Sequence, residues 1–223
     1  MTTRIIPPLR AARVALTLLA GLGAALPAVA GADVAQGIVE LQHEWEAIRY
    51  QTPAKEREKR LEALAAKAHT LTETWPERSE PLIWEGIIVS SWAGEKGGLG
   101  ALSLAKEART LYEAALQRDP AALDGSAYNS LGVLYYKVPG WPLGFGDDDK
   151  ARELLQKGLA LNPQGIDPNY FYGEYLIETG QGAQALPYLE RALAAPPRPG
   201  RQVADAGRRE EARALIEKLR NGR

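Results

Sequence analysis

Apolar residues recur every three or four positions along three stretches of the chain, a spacing that predicts amphipathic helices. The first predicted helix runs from about Val34 to Gln51 and takes Asp33 as its N-cap. The second follows Pro53 and stops before Pro76, and the last runs from about Asp205 to Arg220. The inward stripes are Val34, Ile38, Leu41, Trp45 and Ile48 in the first helix, Leu61, Leu64, Ala68 and Leu71 in the second, and Ala212, Leu215, Ile216 and Leu219 in the last.

Between these helices one spacing of residue types occurs three times. An Ala is followed by an apolar residue four positions later, a small residue seven later and a Pro twelve later. Small residues would let two antiparallel helices approach closely, the large residue would plug the next repeat, and the proline would end the helix. The three occurrences are Ala108, Tyr112, Ala115 and Pro120; Ala151, Leu155, Gly158 and Pro163; and Ala185, Leu189, Ala192 and Pro197.

The segments before two of these occurrences carry a matching first helix, with Tyr128, Leu131, Gly132 and Tyr135 in one and Tyr172, Gly173 and Leu176 in the other. Together these residues resemble the tetratricopeptide repeat family over roughly residues 80–197. The resemblance implies an all-α fold of antiparallel helix pairs stacked in a right-handed superhelix, with capping helices at both ends. It divides the chain after residue 30 into an N-terminal helical pair at 31–78, either a cap or a degenerate repeat, three repeats at 79–120, 124–163 and 167–197, and a capping helix at 201–223.

Two of the three repeats are longer than the motif. The Gly173 to Ala185 spacing is regular, but about seven extra residues separate Gly132 from Ala151 and about ten separate Gly86 from Ala108. We expect both insertions to be loops between the helices of a repeat, where function tends to concentrate. In the first insertion, Gly97 and Gly98 suit a helix C-cap.

The second insertion reads Val-Pro-Gly-Trp-Pro-Leu-Gly-Phe-Gly-Asp from Val138 onward. Its Gly-Phe-Gly-Asp run before Lys150 and Ala151 resembles the Gly-Gly-Asp turn of the T component of tripartite (TRAP) transporters. That resemblance implies a periplasmic helical-repeat protein that docks a solute-binding protein and passes a small organic ligand through a pore, in some members as a homo-oligomer. Phe145 interrupts the paired glycines, and the chain has no cysteine for lipidation.

The same loop has two interpretations that the residues leave open. Its aromatic side chains Trp141 and Phe145 either fold back on the core as a plug or offer an apolar surface to a partner or ligand. The acids Asp147, Asp148 and Asp149 precede a helix, which favours capping over a calcium loop because no alternating set of oxygen ligands follows.

In tetratricopeptide repeats the first helix of each pair lines a concave groove. Here the lining is apolar in the first repeat and increasingly acidic toward the third, and it lacks the convergent Lys, Arg and Asn that a C-terminal carboxylate would need. An extended peptide or a small ligand of mixed polarity fits better. The lining positions are Ile83, Ile87, Ser90, Asn129, Val133, Tyr136, Lys137, Tyr170, Glu174, Ile177 and Glu178, and the candidate binding residues are Asn129, Tyr136, Lys137, Trp141, Phe145, Tyr170 and Glu174.

The residue pattern argues against catalysis, metal binding and a bound cofactor. His43 and His69 lack the partners of a zinc motif or a catalytic triad. The acids Glu40, Glu44 and Glu46 share one helix, where a solvated face explains them. Neither a nucleophile elbow nor a phosphate-binding glycine loop is present.

Residues 1–30 have the features of a secretory signal. Three arginines precede an apolar run from Val14 to Ala25, and Ala28-Val29-Ala30 is a small-residue site with predicted cleavage before Gly31. The run is too short for a membrane-spanning helix. The net charge is −1 with no free-standing basic run, which argues against nucleic-acid binding.

We therefore expect a periplasmic or secreted, non-enzymatic adaptor that binds another protein through the groove and the Trp141 loop, such as a solute-binding protein of a transport system. The alternative is a carrier that holds a small apolar organic ligand inside a closed superhelix.

Overall fold

The computed structural model describes residues 1–2 and 26–222. Over this part of the chain the secondary structure is α-helical, with one isolated bridge between Gly140 and Gly146 and a short 3-10 helix at Gly182–Gln184. The helices are α1 (Leu26–Gln51), α2 (Ala54–Thr74), α3 (Ser79–Lys96), α4 (Gly98–Arg118), α5 (Ala122–Lys137), α6 (Asp148–Leu161), α7 (Ile166–Glu178), α8 (Leu186–Ala194) and α9 (Gln202–Asn221). The all-α prediction is confirmed.

The helices pack in sequential order, each against the next along the chain. The odd-numbered helices also touch one another, α1 with α3, α3 with α5, α5 with α7 and α7 with α9. The last helix, α9, in turn contacts α1. The five odd-numbered helices therefore form a closed ring of contacts, and α2, α4, α6 and α8 pack against that ring.

The recurring small and large residues are all buried and explain the close helix pairs. A Cβ atom added at Gly86 would lie 2.5 Å from the Tyr112 ring, one at Gly132 would lie 2.7 Å from Leu155, and one at Gly173 would lie 2.8 Å from Leu189. Each large residue thus packs onto the glycine of the preceding helix in its own pair. The missing glycine side chain makes room for it.

The first insertion does not form a loop. Its residues lengthen α3 and α4, which are separated by Gly97 alone, so that expectation is wrong. Gly97 ends α3 with a φ of 65°, a conformation that glycine adopts readily, as the C-cap prediction required. The second insertion is a loop between Lys137 and Asp148, as predicted.

Helix α1 begins earlier than predicted. The helix starts at Leu26, so Asp33 lies within it and is not its N-cap. Most of the predicted signal segment, residues 3–25, lies outside the described residues. None of the described helices combines the length and the apolar character that crossing a membrane requires.

Candidate functional site

The ring of odd-numbered helices surrounds a cavity of about 810 Å³. All five of these helices contribute to its wall, together with residues of α2 and α4, the α5–α6 loop and the segment before α9. The volume lies within the range of pockets that hold small organic molecules. The cavity thus occupies the place where a curved array of helix pairs would have its inner surface.

One side of the cavity is apolar and aromatic. Trp45 of α1 and Trp84 of α3 meet edge to face with their ring centroids 6.0 Å apart, and both line the cavity. The indole N–H of Trp45 donates to Ser91 Oγ at 2.9 Å, which fixes that ring in place. Further apolar surface comes from Ile87, Ala101, Leu102, Ala105, Val133, Leu134 and Phe171.

Charged side chains gather where α7 and α9 meet. Arg208 donates through Nε to Asp167 at 2.8 Å and through a terminal nitrogen to Glu211 at 2.6 Å. Arg198 donates to Asp167 at 2.6 Å and to Asp205 at 2.7 Å. Both guanidinium groups are therefore held by carboxylates.

These ion pairs control the ionisation of Asp167. Burial alone would raise the pKa of its carboxyl, but the nearby charges and hydrogen bonds of Arg198 and Arg208 outweigh burial and hold that pKa well below its ordinary value. Asp167 is thus a permanent anion that joins α7 to the segment before α9 and to α9 itself.

Arg201 is the cation of this group with the fewest partners. The residue is only 9% exposed, its Nε lies 3.4 Å from Glu46 Oε2, and its guanidinium carbon lies 5.2 Å from the centre of the Trp84 ring. Burial, followed by the charge of Arg198, lowers the pKa of Arg201. Its terminal nitrogens have no hydrogen-bond acceptor among the residues that the structure describes.

Asn129 of α5 is a second cavity residue whose polar group is unsatisfied. It is 5% exposed, and its side-chain oxygen is buried with no hydrogen-bond partner within the described chain. Buried amides usually find partners, so an unpartnered one that lines a cavity calls for an explanation. Nearby, Ser90 Oγ and the Tyr112 hydroxyl lie 3.1 Å apart, and burial raises the pKa of Tyr112, which keeps its hydroxyl neutral.

Glu174 organises the opposite wall of the cavity. Its carboxylate accepts hydrogen bonds from the hydroxyls of Tyr136 at 2.6 Å and Tyr170 at 3.1 Å, and Lys137 Nζ lies 3.3 Å from it. Lys137 also pairs with Glu178. Burial and the adjacent carboxylate raise the pKa of both tyrosines, so both remain donors.

Apolar side chains flank the cavity at the two inserted segments. Leu99, just after the α3–α4 break, is 93% exposed, and Leu143 in the α5–α6 loop is 74% exposed, yet both also line the cavity. Trp141, in the same loop, is 90% exposed. We call Leu99, Trp141 and Leu143 the rim residues.

Phe145 and the end of the loop are held in place by contacts that Trp141 does not share. Phe145 lies edge to face with Tyr135 at 5.5 Å and beneath the guanidinium of Arg109 at 4.6 Å. Asp147 caps α6 by accepting from the backbone N–H of Lys150 at 3.0 Å, which agrees with the capping interpretation. The loop is thus anchored by Phe145 and capped at its end, while Trp141 extends outward.

The structure brings together four of the seven predicted site residues. Asn129, Lys137, Tyr170 and Glu174 line the cavity, as do the predicted groove positions Ile87, Ser90 and Val133. The other three do not line it. Tyr136 contacts the site only by its hydrogen bond to Glu174, Phe145 packs on Tyr135, and Trp141 is exposed on the surface.

Sequence reasoning missed the α1 and α9 side of the cavity. Glu46, which was assigned to a solvated face, is buried and accepts from the backbone N–H of Ala204 at 3.1 Å. The sequence predicts Trp45 only as an inward apolar residue of the first helix, and it does not single out Arg201. Their position follows from the contact between the first and last helices, and no local pattern encodes that contact.

His43 and His69 are helix-surface residues, as expected. His43 Nε2 lies 3.0 Å from the carbonyl of Gly200, and His69 Nδ1 lies 2.8 Å from Glu85. Within the described residues, no group of three or more His, Cys, Asp or Glu side chains is arranged to hold a metal ion. Neither models of known protein families nor curated proteins give a match to this chain.

Proposed function

We propose that the protein is a non-enzymatic binding protein that encloses a small organic molecule in the cavity at the centre of the helix ring. The observation that carries this proposal is the contact between α9 and α1, which closes the helices into a ring around a partly open cavity of about 810 Å³. An open groove would suit an extended peptide. A cavity inside a ring of helices, with aromatic walls, suits a compact ligand.

The arrangement of ionisable groups supports binding over catalysis. A general base needs a free lone pair near the substrate. Of the cavity carboxylates, Asp167 and Glu174 are each engaged by two or more cationic or phenolic donors, and Glu95 lies 3.7 Å from Arg57 and 4.0 Å from Arg49. They therefore act as structural anchors of the wall in this proposal.

Two broader parts of the proposal concern the type of helix array and the location of the protein. The three glycine contacts at Gly86, Gly132 and Gly173 support a tetratricopeptide-type helix array. The Arg-rich start, apolar run and Ala28-Val29-Ala30 site support export to the periplasm or the medium.

The test is to look for the ligand directly. The protein is purified from periplasmic extract without detergent, and its mass is measured under native and denaturing conditions. We expect a native mass in excess of the polypeptide, or of a whole number of copies of it, and the release of one small organic species on denaturation. Protein that carries no small molecule, and that takes up none from a metabolite extract, would contradict the proposal.

A second candidate function is docking of a partner protein at the rim residues. The specific observation is the exposure of Trp141 and Leu143 next to the cavity, since large apolar side chains in such a position are typical of interaction sites. This adaptor role agrees with the resemblance of the loop to the TRAP-transporter T component. A solute-binding protein is the partner that the resemblance suggests.

Docking is tested with a double variant, Trp141→Ala with Leu143→Ala, in pull-downs from periplasmic extract. We expect the wild-type protein to retain a stoichiometric partner and the double variant to lose it. Val39→Ala removes an exposed apolar side chain of α1 and serves as the control. Equal retention by all three proteins would rule out the rim residues as the docking surface.

A further inference from the structure

The donors that remain free in the cavity indicate the chemistry of its ligand. In the cluster at the start of α9, Arg198 and Arg208 are each bonded to two carboxylates. Arg201 has only one long contact to Glu46, at 3.4 Å, and its terminal nitrogens have no acceptor among the described residues. These nitrogens are available to an anion in the cavity, which would form charge-assisted hydrogen bonds with them.

The charge balance indicates how many negative charges the ligand carries. The cations Arg49, Arg57, Arg198, Arg201 and Arg208 are matched by Glu46, Glu95, Asp167, Asp205 and Glu211, so the cluster is already neutral in formal charge. A ligand with two negative charges would therefore meet carboxylates without a compensating cation. Arg201 is the arginine at the start of α9 whose two terminal nitrogens both lack an acceptor among the described residues, which favours one anionic group at that point.

The apolar wall indicates the rest of the ligand. The Arg201 guanidinium lies over the Trp84 ring, next to Trp45, and the aliphatic residues of α3, α4 and α5 continue the wall. An anionic group at Arg201 thus places the remainder of the molecule along apolar surface, where burial is favourable. The amide of Asn129, buried in the same cavity and unsatisfied, provides a second polar contact away from Arg201.

We propose that the cavity binds an amphipathic monocarboxylate, with its carboxylate paired to the terminal nitrogens of Arg201 and its apolar body against the Trp84 and Trp45 wall. This inference rests on the proposed function and specifies the ligand class. Planar guanidinium and carboxylate groups form paired hydrogen bonds, which distinguishes this ligand from a neutral apolar one.

The experiment compares three probes of the same chain length: laurate, dodecan-1-ol and dodecanedioate. Binding to the full-length mature protein is measured by isothermal titration calorimetry, with quenching of tryptophan fluorescence as a second readout. We expect laurate to bind at least about tenfold more tightly than dodecan-1-ol, as expected for a charge-assisted hydrogen-bonded pair. Dodecanedioate should bind more weakly than laurate.

Variants assign that preference to Arg201. Arg201→Gln should remove the preference for laurate while dodecan-1-ol binds as before, which also shows that the cavity remains folded. Arg201→Lys keeps the charge but not the paired donors, and should retain only part of the preference. Arg213→Gln removes an exposed arginine of α9 and should change neither affinity.

The outcomes separate this inference from the proposed function. Equal binding of laurate and dodecan-1-ol, or tighter binding of dodecanedioate than of laurate, overturns the assignment of a monocarboxylate ligand. Either result leaves the proposal of a ligand-binding cavity in place. A laurate preference that survives Arg201→Gln also overturns it. If none of the three probes binds, the inference fails, and the search for a co-purifying molecule decides the proposed function separately.

Discussion

The phenol ring of Tyr112 in α4 lies so close to the backbone of Gly86 in α3 that a Cβ atom at residue 86 would be 2.5 Å from ring carbon Cε1. Tyr112 is completely buried and cannot swing away. Gly86→Ala should therefore lower the free energy of unfolding by about 1 to 3 kcal/mol, the range for an overpacked core. Urea unfolding followed by circular dichroism measures the change.

Gly94 provides the matched control for that substitution. It lies in the same helix, and a Cβ atom there would meet nothing within 4 Å. Gly94→Ala should raise stability by about 0.5 to 1 kcal/mol because alanine loses less backbone entropy in a helix. A Gly86→Ala protein as stable as Gly94→Ala would show that the α3–α4 contact is looser than described.

The junction between α1 and α9 depends on a similar close approach. A Cβ atom at Gly207 would lie 2.2 Å from the Tyr50 ring, and also 2.7 Å from its Cγ atom near the backbone. Gly207→Ala should push the two helices apart and open the ring at this point. Hydrogen exchange should become faster in α1 and α9 than in α3 to α6.

If hydrogen exchange in Gly207→Ala becomes faster by the same factor in all helices, the substitution lowers the global stability. In that case the contact between α1 and α9 does not open separately from the rest of the fold. Gly94→Ala again serves as the control and should leave exchange in α1 and α9 unchanged. A selective opening would also give the ligand a route into the cavity.

Asp167 makes the stability of the protein depend on pH in the acid range. Because Arg198 and Arg208 lower its pKa in the folded state, Asp167 stabilises the fold above its unfolded pKa of about 3.9, and this contribution is lost as the pH falls toward the folded value. Asp167→Asn should reduce stability at pH 7 by about 2 to 3 kcal/mol, since two guanidinium groups lose their partner.

The same variant should lose less stability than the wild type between about pH 4 and pH 2, because the titrating group is gone. Thermal melts over this range measure the difference. Asp149→Asn, which removes an exposed carboxylate paired with Arg152, should change stability at pH 7 by less than about 0.5 kcal/mol. Parallel pH curves for wild type and Asp167→Asn would show that other carboxylates cause the acid unfolding.

Trp141 should contribute little to folding, since most of its side chain is in solvent. Trp141→Ala should leave the circular dichroism spectrum unchanged and alter the free energy of unfolding by less than about 0.5 kcal/mol. Trp45→Ala, which removes a buried indole with a hydrogen bond to Ser91, should cost about 3 to 5 kcal/mol. A loss of several kcal/mol in Trp141→Ala would instead identify the loop as part of the core.

Much of the fold could be predicted because its rules act over short distances along the chain. The spacing of Ala151, Leu155 and Gly158 marks a helix that packs closely on its neighbour, and all three residues are buried. The groove positions Asn129, Tyr170 and Glu174 follow from the same helical spacing, and they line the cavity. The prediction of a loop at the first insertion is wrong because the extra residues between Gly86 and Ala108 fit a loop and a pair of longer helices equally well.

The amino-acid sequence by itself determined most of the helices, their pairing and the part of the cavity formed by the predicted repeats, since each depends on residues a few turns apart. Only the tertiary structure decided that α9 meets α1, that Glu46 is buried against Ala204, and that Arg201 faces the cavity with free donors. The physical reason is that ring closure depends on the summed curvature of all the helix pairs, and no single segment contains that information.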